Sequence, residues 1–168
     1  TEEEEIFRLK YIERGMLSTS ELSLYQAKQE IEVYAKRTKR MFGFAKDLLQ
    51  ETREQEFTEL YRKILKYEEI SDNTEIEIAS YLSKISEGDL SEESGRRLQG
   101  MYKMIDNIES IGDSVQKIAR NLDSKRAAGV YFEPEMRDKI MQMFQLIDQS
   151  LEVMIGHINK GYTKVHDD

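Results

Sequence analysis

The sequence lacks cysteine and tryptophan, and it has one proline and nine glycines among 168 residues. Without cysteine, the chain has no disulfide bond, no thiolate metal ligand and no thiol nucleophile. The scarcity of proline and glycine allows long uninterrupted helices and disfavours a sandwich or barrel of many short strands. The length suits one domain.

Basic charge and long apolar runs are also scarce. The chain has 33 acidic and 25 basic residues and a formal net charge of −8. Because a nucleic-acid interface needs a basic stripe, this balance argues against a nucleic-acid partner. No apolar run approaches the roughly 20 residues of a membrane span, and the acidic residues 2–5 are the reverse of a signal peptide's basic start. We expect a soluble piece, without direct membrane insertion, excised from a longer protein.

Apolar residues recur at alternating steps of three and four along the chain. The first seam is Leu24, Ala27, Ile31, Tyr34, Thr38, Met41, Ala45 and Leu48. It predicts a helix that starts at a capping box of Ser18 and Glu21. A second box, Thr52 with Gln55, coincides with the loss of this register, and we expect a turn near residues 50–54.

Three further helices are predicted after that turn. The second seam runs through residues 57–85 and ends at the turn-forming residues 86–89. The third begins after Ser91 and is followed by a basic linker over residues 125–129. Pro134 suits the first turn of the fourth helix.

Four long amphipathic helices with short connections must bury their stripes on one another. The sequence therefore predicts an all-α fold, an antiparallel bundle of four long helices. Residues 1–17 contain too many apolar side chains for a free tail. We expect them to form an N-terminal arm that packs against the bundle.

Acidic pairs interrupt the apolar stripes of the second and third helices. Glu68 and Asp72 stand one helical turn apart, as do Glu109 and Asp113, so each pair projects from one helix face. Such like charges weaken a helix by roughly 0.2–0.5 kcal/mol, and burial without compensation adds more. A cation, a proton, a basic partner or solvent must compensate them.

Several interpretations of these pairs stay open. If the two helices face each other, the four carboxylates converge at mid-bundle as oxygen ligands for Mg, Ca, Mn or Fe. Alternatively, they are hydrated at the edge of the seam, or Asp72 and Glu75 form a capping box that breaks the second helix. The histidines are His157 and His166, and no Glu-x-x-His motif occurs, so the imidazole ligands of an oxygen-activating di-iron bundle are missing.

Two further features concern packing. Gly112 lies inside the third seam, where glycine costs about 1 kcal/mol relative to alanine, and we expect it to allow close approach of a neighbouring helix. Methionines at helical spacing in the fourth helix are typical of core filling or of a surface for another helix. They are Met136, Met141, Met143 and Met154.

The third helix also carries a motif. Residues 104–114 read Met-Ile-Asp-Asn-Ile-Glu-Ser-Ile-Gly-Asp-Ser, and Ile118 and Ala119 follow. This stretch resembles the repeat signature of PhoU-type phosphate regulators, approximately an apolar residue, Glu-Arg-Ile-Gly-Asp-His-Ala and then Asn-Ile-Ala. The opening, residues 7–43, is similar to the segment that leads into the PhoU-like cytoplasmic domain at the C-terminal end of bacterial sodium/phosphate cotransporters.

This resemblance implies a division of the chain and a set of metal ligands. It implies an arm over residues 1–17, a three-helix repeat over 18–125 and the opening helix of a second, truncated repeat over 126–168. In the family, Glu/Asp-x-x-x-Asp motifs hold iron or another metal in some members. The matching residues here, which would take Fe, Mn, Mg or Ca, are Glu68, Asp72, Glu109 and Asp113. Ser110 and Ser114 depart from the usual Arg and His.

The resemblance further implies a non-catalytic regulatory domain of a sodium-dependent phosphate transporter. The domain would sit at the cytoplasmic side of the bacterial inner membrane, against the transmembrane part of its parent protein. One alternative is a free-standing PhoU-type adaptor for a transporter and a sensor kinase, and another is a carboxylate-bundle metalloenzyme, which the missing imidazoles oppose. An acidic surface is unsuited to binding phosphate directly, so we expect the membrane part of the parent protein to bind and transport the phosphate. A truncated second repeat leaves the methionine-rich fourth helix half uncovered, which predicts self-association.

Overall fold

The computed structural model describes residues 9–12 and 19–160, and all regular structure in these ranges is helical. The four helices are α1 (Ser20–Gln50), α2 (Glu54–Ser86), α3 (Glu92–Ala127) and α4 (Pro134–Lys160). The predicted all-α fold of four long helices is confirmed. Within the described ranges, no helix combines the length and apolarity that crossing a membrane requires.

Helix α1 is the centre of the bundle. It packs against α2, α3 and α4, whereas α4 packs against α1 and not against α2 or α3. Lys39 Nζ lies 2.8 Å from Glu152 Oε2, and the ring of Phe42 packs against that of Phe144. As the residue number increases along α1, the number of the residue contacted on α4 decreases. These two helices are therefore antiparallel. The molecule is a three-helix bundle of α1, α2 and α3 with α4 added on the outer side of α1.

This central place explains why α1 is buried on more than one side. All eight residues of its predicted seam are buried. A second row, Ala35, Phe42 and Leu49, is buried as well. In residues 9–12 and 19–160, two apolar clusters form the core, one along the first half of α1 and the other around Phe42, Ile64 and Val115.

The helix ends agree with the sequence at some positions and differ at others. The turn before α2, the Ser91 cap of α3 and the start of α4 at Pro134 are confirmed. The predicted box of Thr52 and Gln55 is wrong, because the Glu51 carboxylate instead accepts hydrogen bonds from the N–H groups of Thr52 and Arg53. Helix α3 runs on to Ala127, inside the predicted linker.

Two other expectations concern the capping box at the start of α1 and a break within α2. Ser18, of the first predicted capping box, lies outside the described residues, and Thr19 before α1 makes no side-chain cap. Glu21 instead accepts hydrogen bonds from Ser94 and Arg97 of α3. A break of α2 at Asp72 and Glu75 is wrong, since the helix continues through both.

Residues 9–12, the described part of the arm, lie against the first half of α1. Leu9 and Ile12 pack on the apolar cluster there. The buried carboxylate of Glu30 accepts hydrogen bonds from the backbone N–H groups of Lys10 and Tyr11. The rest of the predicted arm lies outside the described residues.

Candidate functional site

Helices α2 and α3 approach each other closely at the acidic pairs. A Cβ added to Gly112 would lie 3.4 Å from the Oγ of Ser71, and both residues are buried. The close helix approach expected at Gly112 is therefore present. It sets the acidic residues of α2 beside those of α3.

The acidic side chains lie along the rim of this helix pair. Glu68, Glu109 and Asp113 are partly buried, and Asp72 is exposed. The buried positions on this part of α2 are Tyr67, Ile70, Ser71 and Thr74. Glu68, Ser71 and Glu75 continue the helical spacing of the second seam between Ile64 and Ile78. Of these three, only Ser71 is buried, because the seam of α2 passes beside its carboxylates. They do not meet at mid-bundle. We call Glu68, Asp72, Glu75, Glu109 and Asp113 the acidic patch.

The carboxylates of the two helices repel one another across the boundary. Partial burial, followed by the charges of Asp72 and Asp113, raises the pKa of Glu68. Burial and Asp113 likewise raise the pKa of Asp72. For Glu109, burial and then the charges of Asp113, Glu75 and Asp72 raise the pKa. The charged forms are thus disfavoured on both helices by desolvation and by each other.

Positive side chains compensate the acidic patch only in part. Lys117 Nζ lies 3.7 Å from Asp113 Oδ2, but the lysine side chain is 72% exposed, so this ion pair is weak. Arg120 opposes the rise in the pKa of Glu68. Lys117 and Arg120 therefore offset the charge of the acidic patch only in part.

Two buried hydroxyl groups lie behind the patch. In the part of the chain that the structure describes, Tyr34 Oη and Ser71 Oγ have no partner in hydrogen-bond geometry. Burial raises the pKa of Tyr34, and the charges of Glu75, Glu109 and Asp72 raise it further, while the nearby Ser71 hydroxyl moderates the rise. The spacing of the first seam marks Tyr34 only as a core position, and nothing in the sequence pattern points to its hydroxyl.

The donor chemistry of the patch fits a hard cation, since carboxylate oxygens are the ligands that such cations prefer. In residues 9–12 and 19–160, however, no three Asp, Glu or His side chains come close enough to hold one ion. His157 lies on α4, which packs against α1, so it does not join the acidic patch of α2 and α3. The four predicted ligands are neighbours in a patch but not a formed coordination shell, and their role stays a prediction.

Residues 31–122 match the family model described as the PhoU domain. The chain belongs to the PhoU domain family. No curated protein and no solved structure matches it. The matched PhoU segment runs from α1 to near the end of α3 and contains the whole acidic patch, while α4 lies beyond it. PhoU membership implies a regulatory and signalling role in phosphate homeostasis.

Proposed function

We propose that this PhoU-domain chain is a non-catalytic regulatory module of a sodium-dependent phosphate transporter, controlled by a cation bound at the acidic patch. The family match supports the regulatory part of the proposal. The transporter part is supported by the likeness of residues 7–43 to the segment that precedes the cytoplasmic domain of sodium/phosphate cotransporters. The alternative is a free-standing phosphate-signalling adaptor.

The observation that carries the cation proposal is the repulsion between α2 and α3. Glu68 and Asp72 of α2 stand against Glu109 and Asp113 of α3. A divalent or iron cation would replace that repulsion with shared coordination, after rotation of partly exposed side chains. Because α2 and α3 touch at Gly112 behind the patch, binding would tighten their packing, which a transporter domain could sense.

Thermal unfolding in the presence of Mn²⁺ or Fe²⁺ tests this site. Since a ligand that binds only the folded state stabilises it by mass action, each metal should raise the melting temperature. The double variant Asp72→Asn, Asp113→Asn should lose that rise. A matched control, Asp89→Asn with Asp138→Asn, removes the same charge at exposed positions away from the patch and should keep it. An equal metal response in both double variants would overturn the site.

The reading frame of the gene tests the link to a transporter. Transmembrane helices encoded in frame upstream of Thr1 would support it. A frame without them would overturn the transporter assignment and favour the free-standing adaptor. Neither outcome affects the metal experiment, so the two parts of the proposal stand or fall separately.

We also propose that α4 binds a second copy of this chain. Its outer face exposes apolar side chains, and Leu146 is 64% exposed. An antiparallel pair of α4 helices would bring the acidic first turn with Glu135 beside the basic last turn with His157 and Lys160. Such a contact is self-complementary, as a two-fold dimer requires. The exposed apolar residues are Met136, Met143, Leu146, Ile147 and Val153.

Sedimentation velocity tests this contact. Leu146→Lys should give monomers, whereas the matched control Ile76→Lys, at an exposed isoleucine of α2, should leave the dimer intact. Glu135→Lys should weaken the dimer, and adding Lys160→Glu should restore it, because the two charges exchange places. A monomeric wild-type protein at high concentration would overturn the proposal.

A further inference from the structure

A small cavity lies at the end of the bundle where two connections meet. The turn between α1 and α2 and the connection between α3 and α4 enclose about 110 Å³. Three basic side chains line it, Lys125 and Arg126 from the end of α3 and Arg137 from the first turn of α4. For a chain of net charge −8, this is a local concentration of positive charge.

Lys125 contacts two aromatic rings of the connection between α3 and α4. Its Nζ lies 3.9 Å from the ring centre of Phe132 and 5.7 Å from that of Tyr131. Burial, followed by the charge of Arg137, lowers the pKa of Lys125. Two like charges are therefore held close together in a partly desolvated place, an arrangement that an anion would stabilise.

Arg137 supplies an unsatisfied donor. Its Nε atom is buried and has no hydrogen-bond acceptor among the described residues. A buried donor left unpaired is costly, and such groups are normally satisfied by protein, water or an ion. The positive end of the α4 dipole is at the same place, because Arg137 is in the first turn after Pro134.

The other charged groups of the cavity are already engaged. Arg126 stacks 4.5 Å from the ring centre of Phe57 and donates to the carbonyl oxygens of Glu51 and Thr52. The Glu51 carboxylate is bound by Arg53, which holds the pKa of Glu51 down at about 2. Within the described ranges, Lys125 and Arg137 have no carboxylate partner.

The frame of the cavity is fixed by backbone hydrogen bonds. The N–H of Val130 donates to the Lys125 carbonyl at 3.0 Å, and that of Gly129 donates to the Arg126 carbonyl at 2.9 Å. Gly129 has φ of 66°, which closes the end of α3 in the left-handed conformation that glycine allows. The N–H of Arg137 donates to the Glu133 carbonyl at 3.0 Å, so both cations are carried by hydrogen-bonded backbone.

We infer that this cavity binds a small tetrahedral oxyanion through Lys125 Nζ and the guanidinium of Arg137. The size of the cavity limits the ligand to a small ion, and two adjacent cations favour a dianion over a halide. Inorganic phosphate has this chemistry. The overall acidity of the chain argued against phosphate, but the charge at this end of the bundle is of opposite sign. The inference does not depend on the proposed transporter link or on the metal site.

Isothermal titration with sodium phosphate, at ionic strength matched by sodium chloride, tests the inference. We expect saturable binding that Arg137→Gln and Lys125→Gln each weaken by about tenfold or more, since each removes a charge-assisted hydrogen bond. The matched control Arg96→Gln removes a cation of α3 that pairs with Glu92 outside the cavity and should bind like wild type. Equal weakening in Arg96→Gln would overturn the site, because it would mark a general charge effect.

A second measurement keeps the test valid if a cavity variant unfolds. In the wild-type protein, the Nε–H resonance of Arg137 should shift on titration with phosphate and stay in place with chloride. A sulfate response equal to that of phosphate would support the same site, because sulfate is also a tetrahedral dianion. A resonance that ignores both anions would overturn the inference and leave Lys125 and Arg126 as charges that only stabilise the C-terminal end of α3.

Discussion

The aromatic rings of Phe42 on α1 and Phe144 on α4 pack with their centres 5.2 Å apart and their planes inclined by 48°. Both side chains are buried, at 2% and 6% exposure. This contact lies midway along α4, which has α1 as its helix neighbour. The attachment of α4 therefore depends on one apolar face, which includes Phe144, Leu151, Ile155 and Ile158.

The first prediction concerns that face. Phe144→Ala should lower the free energy of unfolding by about 3–5 kcal/mol, because it removes a buried ring and leaves a cavity. Leu146→Ala, two residues away on the exposed side, should change it by less than about 0.5 kcal/mol. Urea unfolding in dilute solution measures both. Similar losses for the two variants would contradict the packing of α4 described here.

The second prediction compares two helical glycines. Gly43→Ala should stabilise the protein by roughly 0.5–1 kcal/mol, since nothing lies within 4 Å of the added Cβ and alanine favours helix. Gly112→Ala should gain less, because its Cβ meets Ser71 Oγ at 3.4 Å. Gly112→Val should destabilise by about 1–3 kcal/mol by forcing α2 and α3 apart. Thermal and urea unfolding rank the three, and a Gly112→Val protein as stable as wild type would contradict the close approach.

The third prediction concerns pH. The pKa values of Glu68, Asp72, Glu75 and Glu109 are raised in the folded protein. Between the ordinary carboxyl pKa and the raised values, the folded state binds more protons than the unfolded state, so the free energy of unfolding rises as pH falls through this window.

A pair of variants isolates that contribution. At neutral pH, Glu68→Gln with Glu109→Gln should raise the melting temperature by about 1–3 °C, a modest amount because solvent screens these partly exposed groups. The rise in stability from neutral pH to about pH 5 should shrink accordingly. Glu59→Gln with Glu92→Gln, at exposed positions away from the patch, serves as the control. A pH profile unchanged by the first pair would show that the patch is simply hydrated.

The fourth prediction concerns Glu30. Glu30→Ala should lower the free energy of unfolding by about 1.5–3 kcal/mol, because two backbone N–H groups lose a charged acceptor. Hydrogen exchange of the Lys10 and Tyr11 amides should become faster. Glu32→Ala removes an ion pair whose lysine partner, Lys36, is 56% exposed, and it should cost less than the Glu30 change. Unaltered exchange at Lys10 and Tyr11 in the Glu30 variant would contradict the contact.

Much of the fold could be read from local patterns. The seam from Leu24 to Leu48 is buried throughout, because a three-four repeat has one stable solution in an amphipathic helix. Ser91 and Pro134 mark helix starts by chemistry that acts within one turn. Capping at Thr52 failed because Arg53, one residue later, is the N-cap of α2, and the Glu51 carboxylate accepts the Thr52 N–H that a capping box would use.

The candidate site was predictable only in part. The spacing of Glu68 with Asp72 and of Glu109 with Asp113 fixed which residues share a helix face. Their rim position followed from Tyr67, Ile70, Ser71 and Thr74, which take the inward positions of α2. Neither the unpaired Tyr34 hydroxyl nor the cavity between Lys125 and Arg137 has a sequence pattern of its own.

The sequence by itself determined the four helices, their apolar faces and the family motif, because each depends on residues within a few turns of one another. Only the tertiary structure decided that α1 lies at the centre, that α4 rests on it alone, that the carboxylates of α2 and α3 repel one another at a rim, and that Lys125 lies beside Arg137. These relations join residues far apart in the chain. They depend on how rigid helices share a limited buried surface, which no local pattern encodes.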